Sequence, residues 1–120
     1  MQEAMIISTA RTGLAKSFKG ELNATHGIPM SAACINAVID RANIESELVE
    51  DLILGCGMPE GATGHNIARN AAIAANCPVT VPGMTVNRYC ASGLQAIASA
   101  ASRIMTDGID IAIGGGVESL

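Results

Sequence analysis

The chain has 120 residues and a formal net charge of −4, and 49% of its residues are hydrophobic although it contains one Tyr, one Phe and no Trp. A chain of this length is expected to form one domain. The acidic balance and the lack of a basic cluster argue against nucleic-acid binding. No apolar run approaches the roughly 18 residues of a membrane span, so we expect no membrane partner.

Met5–Ser8 is the first short apolar run and predicts a strand. A polar, glycine-containing loop follows it to about Thr25. Pro29 suits a first helical position, and apolar side chains then recur at helical spacing as far as Arg41. This pattern places Cys34 on the buried face of the first helix, where we interpret it as a core residue.

The rest of the chain predicts three more strands and two more helices. The strands are short apolar runs at Asp51–Leu54, Thr85–Asn87 and Ile109–Ile113. The helices are a segment that Asn66 caps and that runs to about Ala75, and residues 90–106, which end at a left-handed Gly108. Strands separated by helices imply crossover connections, so the predicted fold class is α/β with a mainly parallel sheet.

Cys90 lies where the third predicted strand meets the third predicted helix. Free backbone N–H groups and the helix dipole at a helix start favour a thiolate, which is the nucleophilic form of cysteine. Cys90 is therefore the candidate catalytic residue. The alternative is that Cys90 is a small buried hydrophobe, as free cysteines usually are.

The other cysteines are spaced irregularly and fit no zinc pattern: Cys34, Cys56 and Cys77. We therefore expect reduced thiols and no metal site. Because Met1–Ala4 also lacks the basic region of a signal peptide, we expect a cytoplasmic protein. His26 and His65 are the only histidines, and each falls in a predicted loop. We interpret both as loop residues and not as the base for Cys90.

Two glycine-rich segments follow predicted strands and are possible ligand sites. Gly55–Glu60 resembles a dinucleotide fingerprint but has Glu60 in the third glycine position, so a nucleotide site is not predicted there. Gly114–Gly116 fits either a phosphate cradle or close packing of the backbone, and we favour close packing. Glu118 is either a base or, more commonly for a loop carboxylate, a solvated or capping residue.

The run Val81–Ile97 resembles the acyl-enzyme cysteine signature of the thiolases. Further segments are similar to other parts of that family in the same order: Ala10–Thr12, Leu54–Gly61, Asn66–Arg69 and Gly114–Ser119. The chain departs from the family at Gly13, where a proline is frequent. It also lacks the Gly-His-Pro motif and the second catalytic cysteine, so residues 1–120 are similar to a partial N-terminal domain without the C-terminal catalytic half.

The resemblance implies an acyl-CoA C-acyltransferase in which Cys90 carries the acyl group and coenzyme A thioesters are the substrates. It implies no metal or redox cofactor, and it implies coenzyme A contacts that lie mostly beyond residue 120, so no residue of this chain is assigned to them. It also implies a homodimer or tetramer that assembles through the strand before Cys90, and a chain that is inactive alone. Two alternatives stay open: a piece of a ketoacyl-synthase-like condensing enzyme, and a non-catalytic oligomerising fragment.

Overall fold

The computed structural model describes residues 1–120 and contains three α-helices and three β-strands. The helices are α1 (Gly27–Ala42), α2 (Ile67–Ala74) and α3 (Ser92–Asp107), and the strands are β1 (Asp51–Gly55), β2 (Met84–Val86) and β3 (Ala112–Gly116). Short 3-10 helices at Ser46–Leu48 and Gly61–Thr63 lie in the connections. None of the helices has the length and apolar character needed to cross a bilayer.

The three strands form one parallel sheet in the order β2-β1-β3. Ile53 pairs with Met84 of β2 on one side and with Gly114 of β3 on the other. The central strand β1 is buried along its whole length, as expected for a parallel strand that is covered on both faces. The predicted α/β class and the parallel sheet are confirmed.

Alternate residues of β1 point to two different helical layers. Leu52 and Leu54 pack into a core with residues of α1 and α2, whereas Ile53 packs against Ala96 and Ala100 of α3. Fully burying a side chain of this size contributes about 1.5–3 kcal/mol. The sheet therefore lies between α1 and α2 on one face and α3 on the other.

Glycines on the sheet face below α3 allow the helix to approach the strands closely. A Cβ atom at Gly114 would lie 2.8 Å from the Cα of Ile97, and one at Gly116 would lie 3.0 Å from the Cα of Gly93. A Cβ at Gly114 would collide with the helix backbone, and one at Gly116 would force its neighbours to give way by a few tenths of an ångström, so glycine is favoured at both strand positions. The interpretation of Gly114–Gly116 as a close-packing segment agrees with these distances.

The helix boundaries follow identifiable capping residues. The Oδ1 of Asn66 accepts a hydrogen bond from the backbone N–H of Arg69 at 3.2 Å, as predicted for the α2 cap. Gly108 ends α3 with a φ of 76°, in the left-handed region that favours glycine. His26 caps α1, because its Nδ1 accepts a hydrogen bond from the N–H of Ile28 at 3.3 Å.

Several sequence predictions of element position were wrong. Pro29 is the third residue of α1 and not the first, and the strand predicted at Thr85–Asn87 is Met84–Val86. Met5–Ser8 forms no strand, because it lies across an apolar groove from β3 without pairing to it. The last strand begins at Ala112 instead of Ile109, because its partner β1 begins at Asp51, which lies opposite Ala112. The last helix begins at Ser92 and not at Cys90.

Candidate active site around Cys90

The carboxyl ends of the three parallel strands meet at one edge of the sheet. Three segments follow those ends: Asn87–Cys90 after β2, Cys56–Met58 after β1 and Val117–Ser119 after β3. Open α/β sheets bind their ligands at this edge. Cys90, the candidate that the sequence indicates, therefore lies at the edge where a substrate is expected.

Cys90 is exposed and stands two residues before the first residue of α3. Tyr89, the preceding residue, has a φ of 49°, which is left-handed and unfavourable for a residue with a bulky side chain. No protein acceptor takes a hydrogen bond from the backbone N–H of Cys90. The thiol and this N–H group are thus both presented at the start of a helix.

Ser92 and Asn87 hold the turn that carries Cys90. The hydroxyl of Ser92 donates to the carbonyl of Tyr89 at 2.6 Å and accepts from the N–H of Arg88 at 2.7 Å. The Oδ1 of Asn87 accepts from the N–H of Tyr89 at 2.8 Å. These bonds offset the strain of the left-handed Tyr89 backbone, so the turn is fixed on both sides of the cysteine.

The end of β1 packs directly against this turn. A Cβ atom at Gly57 would lie 3.0 Å from the carbonyl oxygen of Tyr89, so only glycine fits there without displacing the turn. The carbonyl of Gly57 accepts a hydrogen bond from the Nδ2 of Asn87 at 3.4 Å. Gly57 is therefore a direct neighbour of the residue that precedes Cys90.

Glu118 connects the end of β3 to the end of β1. Its Oε2 accepts from the N–H of Gly57 at 2.9 Å, and its Oε1 accepts from the N–H of Met58 at 3.0 Å and from the thiol of Cys56 at 3.3 Å. Burial raises the pKa of Cys56, and the charge of Glu118 acts in the same direction. This bonding is that of a carboxylate that caps backbone N–H groups.

The other histidines and cysteines have different positions or roles. His26 caps α1, and His65 is exposed in a loop with a φ of 57°. Cys34 is half-buried, and burial raises the pKa of Cys77. All four cysteines are free thiols. Cys90 is the exposed one among them.

Sequence reasoning did not assign to the site four residues that hold the turn before Cys90 or bond to its neighbours: Gly57, Asn87, Ser92 and Glu118. Asn87 and Ser92 flank Cys90, and two polar residues at a strand end and a helix start were a usable signal. The contacts of Gly57 and Glu118 span 61 residues of sequence. These contacts cannot be predicted without the strand order, which places β1 beside β3.

Comparison with known proteins finds similarity along the whole chain. The family described as "Thiolase, N-terminal domain" matches residues 4–120. A 3-ketoacyl-CoA thiolase of Bacillus subtilis is 47% identical over 120 residues, which are 100% of this chain and 31% of that protein. An acetyl-CoA acetyltransferase of Cupriavidus necator is 39% identical over 120 residues, which are 100% of this chain and 30% of that protein.

A 3-ketoacyl-CoA thiolase of a Psychrobacter species is 38% identical over 119 residues, which are 99% of this chain and 30% of that protein. The chain thus spans somewhat less than a third of the length of these relatives. The family match nevertheless covers nearly every residue from the N-terminal segment through the loop that carries Glu118. The chain belongs to the thiolase family.

Proposed function

We propose that this chain is the acyl-carrying part of a thiolase-type acyl-CoA C-acyltransferase, with Cys90 as the nucleophile. The observation that supports this most directly is the placement of an exposed thiol on a hydrogen-bonded, left-handed turn at the start of α3. Nucleophiles gain from fixed placement because the reacting atoms must approach along a defined direction. The homology to proteins named as thiolases and as an acetyl-CoA acetyltransferase supports the same chemistry.

In the proposed step, the thiolate of Cys90 attacks the carbonyl carbon of an acyl-CoA thioester. A bond forms between the Cys90 sulfur and that carbon, and the bond from the carbon to the coenzyme A sulfur breaks. Coenzyme A leaves as a thiolate and takes up the proton that Cys90 gave up. The free N–H of Cys90 is a candidate donor to the oxyanion that forms on the carbonyl oxygen.

The acyl group on Cys90 then passes to a second substrate. In the proposed synthetic direction the acceptor is the carbanion of acetyl-CoA, and in the reverse direction coenzyme A cleaves a 3-ketoacyl-CoA. This second step needs a base and a proton-abstracting thiol that we do not place among these residues. We propose that the whole protein acts in the cytoplasm as a homodimer or tetramer and needs no metal or redox cofactor.

Acylation of the purified chain tests the nucleophile. After incubation with acetyl-CoA, intact-mass and peptide mass spectrometry should find one acetyl group, on Cys90, and Cys90→Ser should abolish it. Cys34→Ser is the matched control, because it removes a half-buried thiol on α1 and leaves the site intact. An unmodified wild-type chain would support the non-catalytic alternative.

Turnover and thiol reactivity give two further checks. The 120-residue chain should not cleave acetoacetyl-CoA at a measurable rate, because nucleophile and base act as a unit. Brief treatment with iodoacetamide near neutral pH should label Cys90 before the buried Cys56 and Cys77. Equal labelling of all four cysteines would argue against an activated thiol, and rapid thiolysis would bring His26 or His65 back as a base.

A further inference from the structure

We propose that Glu118 is a positioning residue for Cys90, and that it acts through Gly57 and the turn at Tyr89. The inference rests on the proposed role of Cys90 as nucleophile. It assigns to Glu118 the task of fixing where the Cys90 sulfur and its N–H group lie relative to a bound thioester. Glu118 itself does not take part in the chemistry.

The first observation is the number of donors that converge on one carboxylate. Glu118 accepts hydrogen bonds from the N–H groups of Gly57 and Met58 and from the thiol of Cys56. Hydrogen bonds to an ionised acceptor are stronger than those between neutral groups. Loss of the Glu118 carboxylate would leave the N–H group of the buried Gly57 without its acceptor, which costs free energy unless another group replaces it.

The second observation is that Gly57 lies between Glu118 and the turn that carries Cys90. A Cβ atom on Gly57 would be 2.7 Å from the Oε2 of Glu118 and 3.0 Å from the carbonyl oxygen of Tyr89. The Asn87 side chain bonds both to the carbonyl of Gly57 and to the N–H of Tyr89. A shift of Gly57 is therefore transmitted to Tyr89 through one packing contact and one side chain.

Acylation and alkylation of Cys90 place different demands on this geometry. Attack on a thioester requires the sulfur, the substrate carbonyl and the N–H donors to be aligned, and a misplacement of about 1 Å can slow such a step by about a hundredfold. Alkylation by iodoacetamide requires only an accessible thiolate. A positioning role predicts that loss of Glu118 slows acylation by acetyl-CoA much more than alkylation.

The test compares Glu118→Gln with Glu50→Gln. Glu50 is a matched control because its Oε1 accepts a hydrogen bond from the N–H of Asp110 at 2.9 Å, near the opposite ends of β1 and β3. For each variant the rate of acetylation of Cys90 by acetyl-CoA is divided by its rate of alkylation across a range of pH. We expect this ratio to fall about tenfold in Glu118→Gln and to stay at the wild-type value in Glu50→Gln.

The pH profile separates positioning from a simple charge effect. Loss of a nearby negative charge favours a thiolate, so a charge effect alone would move the acylation profile to lower pH and raise the rate near neutrality. A positioning role instead predicts that the plateau of the acylation rate falls while the pH profile keeps its position. An unchanged ratio in Glu118→Gln, or a profile moved to lower pH with an unchanged plateau, would overturn the proposal.

Two measurements keep loss of folding from being mistaken for positioning. The buried Cys56 and Cys77 should stay protected from iodoacetamide in Glu118→Gln, and their exposure would show a structural role and overturn the proposal. Gly57→Ala should lower the acylation ratio as Glu118→Gln does, whereas Gly13→Ala, where a Cβ has open space, should not. If the wild-type chain is not acetylated at all, the result contradicts the proposed role of Cys90 as nucleophile and, with it, the role of Glu118 that rests on it.

Discussion

The hydroxyl of Thr85 donates a hydrogen bond to the Oδ1 of Asn66 across 2.7 Å, and this bond joins the edge strand β2 to the N-terminus of α2. The same hydroxyl accepts from the N–H of Ala68 at 3.1 Å, and the Nδ2 of Asn66 donates to the carbonyl of Gly83 at 2.9 Å. The edge strand that leads to Cys90 is thus held along one edge by β1 and, through the Thr85 side chain on one sheet face, by a helix cap, whereas its outer edge is unpaired.

Replacement of Asn66 should destabilise the fold more than an ordinary surface substitution. Asn66→Ala removes the α2 cap and its bonds to Thr85 and Gly83, and loss of an N-cap alone costs about 0.5–2 kcal/mol. We expect a loss near 2 kcal/mol in the free energy of unfolding, measured by urea denaturation. Asn70→Ala, on the same helix but not at its cap, should change it by less than about 0.5 kcal/mol.

A methyl group at Gly55 should have a much larger effect than one at Gly115. A Cβ at Gly55 would overlap the backbone of Ser92 and Gly93, whereas a Cβ at Gly115 would meet only the Cδ2 of Leu54 at an ordinary 3.5 Å. Gly55→Ala should therefore cost about 3 kcal/mol or more of unfolding free energy, because the backbone of α3 has to move.

Gly115→Ala is the control for that substitution, since it adds the same methyl group to the same sheet. It should leave the unfolding free energy within about 1 kcal/mol of wild type, because alanine also restricts the unfolded chain. Chemical denaturation followed by circular dichroism measures both variants. Equal losses in the two would contradict the close packing of α3 on β1.

The sequence predicts most of this architecture because its elements carry local signals. The cap at Asn66, the left-handed Gly108 and the apolar run of β1 each follow from residue types a few positions apart. The same holds for Cys90, which is marked by the change from strand to helix pattern. Local chemistry was enough to name Cys90 as a candidate, and the resemblance to the thiolases then favoured the nucleophile over a buried hydrophobe.

The errors have a common cause in contacts between distant residues. Met5–Ser8 has the composition of a strand, but strand formation needs a partner, and this segment pairs with none. The alternating isoleucines at Ile109–Ile113 predict a strand earlier than the observed one, because periodicity does not show that pairing with β1 begins only at Ala112. The contact of Glu118 with Gly57 likewise depends on strand order, which periodicity does not encode.

Alkaline pH should destabilise the chain through its buried thiols. Burial raises the pKa of both Cys56 and Cys77, and an ordinary thiol in the unfolded chain ionises near pH 8.5. A raised folded pKa contributes stability that is complete below the unfolded value and is lost as pH rises through the folded value. The free energy of unfolding should therefore fall steadily from about pH 8.5 upwards.

The double variant Cys56→Ala, Cys77→Ala tests this dependence, because it removes both thiols. The decrease of unfolding free energy with pH should become shallower by up to about 1.4 kcal/mol per pH unit for each thiol that is removed. Urea denaturation from neutral pH to about pH 10 measures the slope. Identical slopes in wild type and the double variant would exclude the two thiols as its cause.

Association of the chain should depend on the unpaired side of β2. This strand is at the edge of the sheet, and Met84 is 43% exposed on it, with no charge or proline within Met84–Val86 to block pairing with another copy. We expect light scattering at micromolar concentration to find dimers or larger species. Met84→Lys should shift them toward monomer, because a charge on an edge strand opposes pairing.

Val79→Lys, which places the same charge on an 84% exposed residue outside the strand, should leave the distribution unchanged. A monomeric wild-type chain would contradict the edge-strand interface, and equal effects of the two lysines would point to general repulsion between charged copies.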